Sequence, residues 1–152
     1  MEQTASQTST IDLVSFILGG GLFAAPLCTD MEIVRPESIS PIPGSPKRLL
    51  GCMKLRDKIV HVYDARICLG MPEKPVEKQT RVIVMRLDGR LVGCLVDSVT
   101  SVIKLRAEDI RPMSPELAAG SDVARGLWSP RENGPITVII DPSALINTPQ
   151  AT

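Results

Sequence analysis

Aromatic side chains are scarce in this chain: one Trp, one Tyr and two Phe stand among 152 residues. Recognition of single-stranded nucleic acid by base stacking needs several exposed rings, so the sequence argues against that class. Histidine is scarcer still, with one in the whole chain. A zinc site would have to be assembled from dispersed thiols and carboxylates, and none is expected. An excess of one charge is also missing. Seventeen basic residues balance seventeen acidic ones, which leaves no field to steer nucleic acid or an anionic membrane. Long apolar runs are lacking too, since the one from Leu13 to Pro26 is broken by Gly19-Gly20-Gly21 and cannot cross a bilayer as one helix. The polar start, Met1 to Thr10, has neither the basic residues nor the apolar block of a signal peptide. It reads as a disordered tail on a cytoplasmic protein. Cys28, Cys52, Cys68 and Cys94 form no C-x-x-C pair and read as reduced, partly buried thiols.

What is present is strand. Apolar residues make up 43% of the chain and charged residues 22%, which suits one soluble globular domain or two small subdomains sharing a core. Ile11–Leu18 and Leu22–Ala25 read as strands joined by a tight glycine turn. The segment Leu27–Val34 has room for one or two helical turns before prolines at 36, 41, 43 and 46 exclude a long helix. Leu49–Leu55 and Ile59–Tyr63 form a hairpin with a charged corner, for which Asp57-Lys58 is the expected turn. Residues 71–78 read as a loop. Arg81–Leu87 and Arg90–Val96 flank Asp88-Gly89, a two-residue hairpin turn. That register pairs Met85 with Val92 and Ile83 with Cys94 on one face, and Val82 with Leu95 on the other. Both faces are apolar, so both must be covered. Val99–Leu105, Val123–Ser129 and Ile136–Ile140 complete about ten strands, and Asp141-Pro142 opens a short helix through Ile146. The count points to a barrel or a pair of barrels. No repeat of fixed period is visible, only a loose division near residues 71–80.

Catalytic chemistry finds no foothold. No G-K-[ST] follows the glycine triplet, and Ser15, Ser98 and Ser101 have no G-x-S-x-G elbow around them. His61 reads as a strand-edge residue at a subdomain boundary. Asp12, Asp64, Asp97 and Asp141 read as turn and cap residues, without a paired-carboxylate arrangement. No catalytic residue, cofactor or metal is expected, and the alternative from another class is a β-barrel that binds a small molecule or nucleic acid.

The order of the pieces carries a resemblance. Val14-Ser15-Phe16-Ile17-Leu18-Gly19-Gly20 is followed by Met31-Glu32-Ile33, then by Ile42-Pro43-Gly44-Ser45-Pro46. Lys54-Leu55-Arg56-Asp57 with Ile59–Asp64 looks like N-L-R-G-x-I-x-P-x-x-D-L, and Arg90–Val99 is similar to R-x-x-G-x-x-V-D-x-V. The segment Leu105–Ile110 follows in its expected place. From about Ile11 to Ile146 the chain resembles the CheW family, adaptors that join bacterial chemoreceptors to the histidine kinase CheA.

The resemblance implies an all-β fold of two small five-stranded SH3-like barrels sharing a hydrophobic core, with short helices, over residues 11–147. Residues 1–10 and 148–152 are then tails. It implies no catalysis and no cofactor. Its expected partners are a chemoreceptor's cytoplasmic tip, docked between the barrels, and the kinase's regulatory domain, docked on a barrel end, with no nucleic acid and no membrane insertion. Clustering with receptors is implied as well. Carried over by position, the receptor-binding residues are Glu32, Ile33, Leu55, Arg56 and Gly93. Three interface positions are altered: Asp57 stands where the family keeps Gly, and Asp30 and Arg81 stand where it keeps aliphatic residues. Lys54 and His61 replace the motif's Asn and Pro. Such changes admit a divergent adaptor that keeps only one of the two contacts and tunes or insulates the array.

Overall fold

Alternation of apolar and polar residues and closely spaced turn signals leave the chain little choice but strand. The computed structural model describes residues 9–118 and 122–147. Ten strands are present among them: β1 Thr10–Leu18, β2 Gly21–Pro26, β3 Glu32–Val34, β4 Leu49–Leu55, β5 Lys58–Asp64, β6 Arg81–Leu87, β7 Arg90–Val96, β8 Ser98–Arg106, β9 Ala124–Trp128 and β10 Thr137–Ile140. The helices are short: α1 Ala65–Cys68, α2 Pro115–Ala118 and α3 Pro142–Ile146, with a 3-10 turn at Ala107–Asp109. The N-terminal tail expected over 1–10 lies outside the described residues except for Ser9 and Thr10, and Thr10 already opens β1. The C-terminal tail, 148–152, lies outside them altogether.

Two five-stranded sheets result, in the orders β8-β1-β2-β10-β9 and β3-β6-β7-β5-β4. Their connectivity is the same. In each, an antiparallel hairpin (β1–β2 or β6–β7) lies parallel, through its second strand, to β10 or β5. That strand pairs antiparallel with the one before it in sequence, β9 or β4. An isolated bridge then closes each sheet into a barrel: Ser40 to Cys52 after β3, and Arg111 to Leu127 after β8. A short helix follows each parallel strand, N-capped in the same way. The Asp64 carboxylate accepts from the Arg66 N–H and the Asp141 carboxylate from the Ser143 N–H, each at 3.0 Å. The chain therefore runs through one β5α unit twice, and the two copies exchange hairpins. Each barrel takes two strands from one copy and three from the other. The division near residues 71–80 is the boundary between copies, not between barrels. Sequence periodicity missed this because the repeat survives in topology, not in residue identity.

Three apolar clusters hold the barrels. One lies between them, where Val14, Phe16 and Leu18 of β1 meet Ile83 and Met85 of β6 and Val92 and Cys94 of β7, sealed by Ala65, Cys68, Leu145 and Ile146. A second fills the β3–β7 barrel with Met53, Val60, Val62, Val82, Val84 and Leu95. The third, Leu13, Ala24, Leu105 and Ile139, fills the other barrel under Trp128. The β6–β7 hairpin has the expected register, and its two apolar faces serve two different cores. Each fully buried Val or Leu stabilises the fold by roughly 1.5–3 kcal/mol.

Four local expectations fail. Leu27–Val34 holds no helix; its end is β3, because pairing with β6 satisfies a backbone that prolines keep from helix. The β4–β5 turn is Arg56-Asp57, not Asp57-Lys58, since Leu55 pairs with Lys58. His61 is no strand-edge residue: β5 lies between β7 and β4, and His61 pairs with Val92 and Cys52. Asp12 lies within β1, where it pairs with Lys104 at 3.0 Å.

Candidate functional site

A cleft of about 320 Å³ opens at the end of the β3–β7 barrel, where the entry to β3, the β4–β5 corner and the outer part of β6 converge. Met31, Leu55, Val84 and Leu91 supply its apolar surface. Charged residues surround it: Asp30, Glu32, Arg56, Asp57, Lys58 and Arg86.

The local backbone explains the arrangement. Arg56 sits at φ 58°, a left-handed conformation that costs a non-glycine residue about 1–2 kcal/mol. The two-residue turn it makes lifts its guanidinium into solvent, 69% exposed, where Nη2 donates to Glu32 Oε2 at 2.7 Å. Glu32 is opposite Val84 in the β3–β6 ladder. Asp30, in the turn before β3, forms an ion pair with Arg86 at 3.4 Å. An exposed pair contributes only about 0–1 kcal/mol. Two such pairs therefore add little to the stability of the fold.

Of the receptor-facing positions expected from the sequence, Glu32, Leu55 and Arg56 come together here, joined by the altered positions Asp30 and Asp57. The other three lie elsewhere. Ile33 is exposed, but strand alternation turns it to the opposite face from Glu32, beside Ile83. Gly93 is buried beneath the cleft floor, paired with Val84, and a Cβ there would come within 2.6 Å of Val82 Cγ1. Arg81 is at the far end of β6, where Nη1 donates to the carbonyls of Lys78 and Thr80. Asp30 is 59% exposed, and its carboxylate pairs with Arg86. Met31, Lys58, Arg86 and Leu91 were not anticipated. Arg86 shares a face with Val84, which was a usable signal, but pairing it with Asp30 required β3 to be recognised as a strand.

A second, larger concavity of about 680 Å³ lies where β1–β2, α1 and the β7–β8 junction meet. Its polar groups are occupied with one another. Arg66 donates through Nε and Nη2 to the two oxygens of Asp97 at 2.9 and 3.0 Å, and through Nη1 to Pro72 O. The Gly19 N–H also donates to Asp97 at 2.9 Å. Burial pushes the Asp97 carboxyl up, but the hydrogen bonds from Arg66 and Gly19 outweigh it and hold the group below its ordinary value. Asp97 therefore acts as a clasp: it ties the glycine turn of one barrel to α1 of the other.

The two buried thiols are not activated nucleophiles. Burial raises the Cys68 thiol to about 11 and the Cys94 thiol to about 12, so both are inert hydrophobes at neutral pH. Cys28 departs from the expectation of burial and is exposed, and Cys52 is half-buried. Among the described residues no group of three His, Cys, Asp or Glu could hold a metal ion, and no helix is long and apolar enough to cross a membrane.

Comparison with known proteins bears on the fold and the family. A family model described as CheW-like domain matches residues 12–150. The chain is 26% identical to a chemotaxis protein CheW of Helicobacter pylori, over 77% of this chain and 71% of that protein. Its identity to a chemotaxis protein CheW of Klebsiella aerogenes is 30%, over 78% and 70% respectively. Among solved structures, the scaffolding protein TtCheW of Thermoanaerobacter tengcongensis superposes with a TM-score of 0.77 at 27% identity, over 88% of this chain and 90% of that one.

Proposed function

The chain belongs to the CheW-like domain family, and from that footing we propose that it couples a methyl-accepting chemoreceptor to a CheA-type histidine kinase. Members of this family are scaffolds and adaptors of chemotaxis, not enzymes, and this chain works as one. The observation that carries the finer reading is the Arg56 corner. A planar donor fork is held out by a left-handed turn, steadied on one side by Glu32, with apolar floor beside it. Only one guanidinium nitrogen is engaged by Glu32, so a receptor carboxylate or carbonyl can accept from the others without displacing it. Leu55 and Leu91 then supply buried area to the same contact.

The adaptor unit comprises residues 11–147 and works in the cytoplasm among clustered receptors. A second reading, an adaptor that keeps one contact and insulates the array, is favoured by Asp57, which adds a side chain and a charge to the cleft at the corner where relatives are expected to carry Gly.

Pull-down against a soluble receptor tip and, separately, the kinase regulatory domain tests both readings. Binding to both supports coupling, and failure to bind the kinase domain leaves only the insulating role. Arg56→Ala should weaken receptor binding about tenfold with the urea midpoint unchanged. A large fall in that midpoint would mean that Arg56 is structural.

A further inference from the structure

The two halves of the chain, on either side of residues 69–80, are incomplete in the same way. Within the first half β1 pairs with β2 and β4 with β5. Within the second, β6 pairs with β7 and β9 with β10. Among the described residues no ladder joins the two hairpins of one half to each other. Four ladders join one half to the other instead: β1–β8, β2–β10, β3–β6 and β5–β7. The Arg66–Asp97 clasp crosses the same boundary, as does the Arg48 Nε–H donated to Ile146 O at 2.8 Å. A half therefore needs a complementary half to satisfy its strand edges, and nothing in these contacts requires that it come from the same chain.

Only residues 69–80 tie the halves covalently. They contribute to no strand or isolated bridge, and residues 72–79 are exposed. Arg66 Nη1 donates to Pro72 O at 3.0 Å and Arg81 Nη1 to Lys78 O at 2.9 Å, contacts that a change of course could break singly. Pro72 and Pro75 favour an extended path over a tight reversal. Fully extended, the connector reaches about 40 Å, enough to deliver the second half to a neighbouring copy. We propose that two copies of this chain exchange halves when crowded, forming a dimer in which each cleft is built from both. Glu32, Leu55 and Arg56 then come from one protomer, and Val84, Arg86 and Leu91 from its partner. A tethered half meets its own complement at an effective concentration of about 1 mM, so the closed chain wins in dilute solution and exchange competes near that level. The dimer persists on dilution, because opening it breaks all four ladders of a half. This exchange does not depend on what the cleft binds.

Refolding tests it. The full chain is unfolded in urea, refolded at about 1 mM or about 1 µM, and brought to one final dilution. Light scattering after size exclusion should find about tenfold more dimer, or more, from the concentrated refolding. A protease recognition sequence inserted between Pro75 and Val76, in the exposed connector, tells exchange from docking through outer surfaces. Cutting it unlinks the halves, so an exchanged dimer falls to nicked particles of monomer mass, whereas copies docked side by side keep the dimer mass. If the inserted chain does not fold, trypsin cleavage of the wild-type connector after Lys78 makes the same distinction. Monomer alone at both concentrations, or a dimer that keeps its mass after the cut, overturns the proposal.

Discussion

Asp97→Asn removes one charge from the clasp between the barrels and changes almost no volume. In the wild type the Asp97 carboxylate accepts from Arg66 twice and from the Gly19 backbone once, at 2.9–3.0 Å, with both side chains largely buried at 12% and 15% exposure. Asparagine keeps one acceptor oxygen and presents an amide that repels the guanidinium. Hydrogen bonds to charged groups contribute about 1.5–3 kcal/mol each, and losing one partner leaves the other poorly satisfied. The variant should lose about 2–4 kcal/mol, with an unchanged urea m-value and a lower midpoint. The folded-state value of Asp97 lies below its ordinary 3.8. The stability it adds is therefore present above pH 3.8 and is lost as pH falls through the folded value. The gap between wild type and variant should be constant near neutrality and shrink in that acid range. A loss under 0.5 kcal/mol at pH 7, or a gap that widens with acid, would refute the clasp.

Gly93→Ala should cost about 1–3 kcal/mol by overpacking, read as a fall in urea midpoint, because its Cβ would meet Val82 at 2.6 Å and Val60 at 3.2 Å. Chains 1–74 and 75–152 should each fail to fold alone but copurify as a folded pair when coexpressed, since each barrel draws strands from both. Folding of either fragment by itself would contradict the exchanged arrangement. In a native thiol titration at pH 8, Cys28 should react quickly. Cys68 and Cys94, raised to about 11 and about 12 by burial, should react only on unfolding, and rapid labelling of either would show that the shared core opens.

Hairpins with strong turns were legible without coordinates. Asp88-Gly89 specifies its own register, and Asp141-Pro142 announces a helix through a cap that needs only its neighbours. The candidate site was half legible. Arg56 and Leu55 sit in a recognisable local motif, but which residues stand beside them depended on a three-residue strand that no local preference identifies. β3 exists because β6 offers it partners. Until that pairing is known, Asp30 looks like an unmatched charge, Arg86 draws no attention, and Gly93 passes for a surface residue when it is the close approach of one strand to the side chains of its neighbours.

By itself, then, the sequence determined every strand but β3, the charged corner between β4 and β5 and the membership in a family of adaptors. These rest on contacts among neighbours in the chain and on residue type, both of which are written in linear order. Only the tertiary structure decided that the two halves exchange hairpins, that Asp97 clasps one barrel to the other, and that two ion pairs flank one cleft. Each of those joins residues about 25 or more positions apart, and nothing in linear order says which of many such meetings buries the most apolar surface.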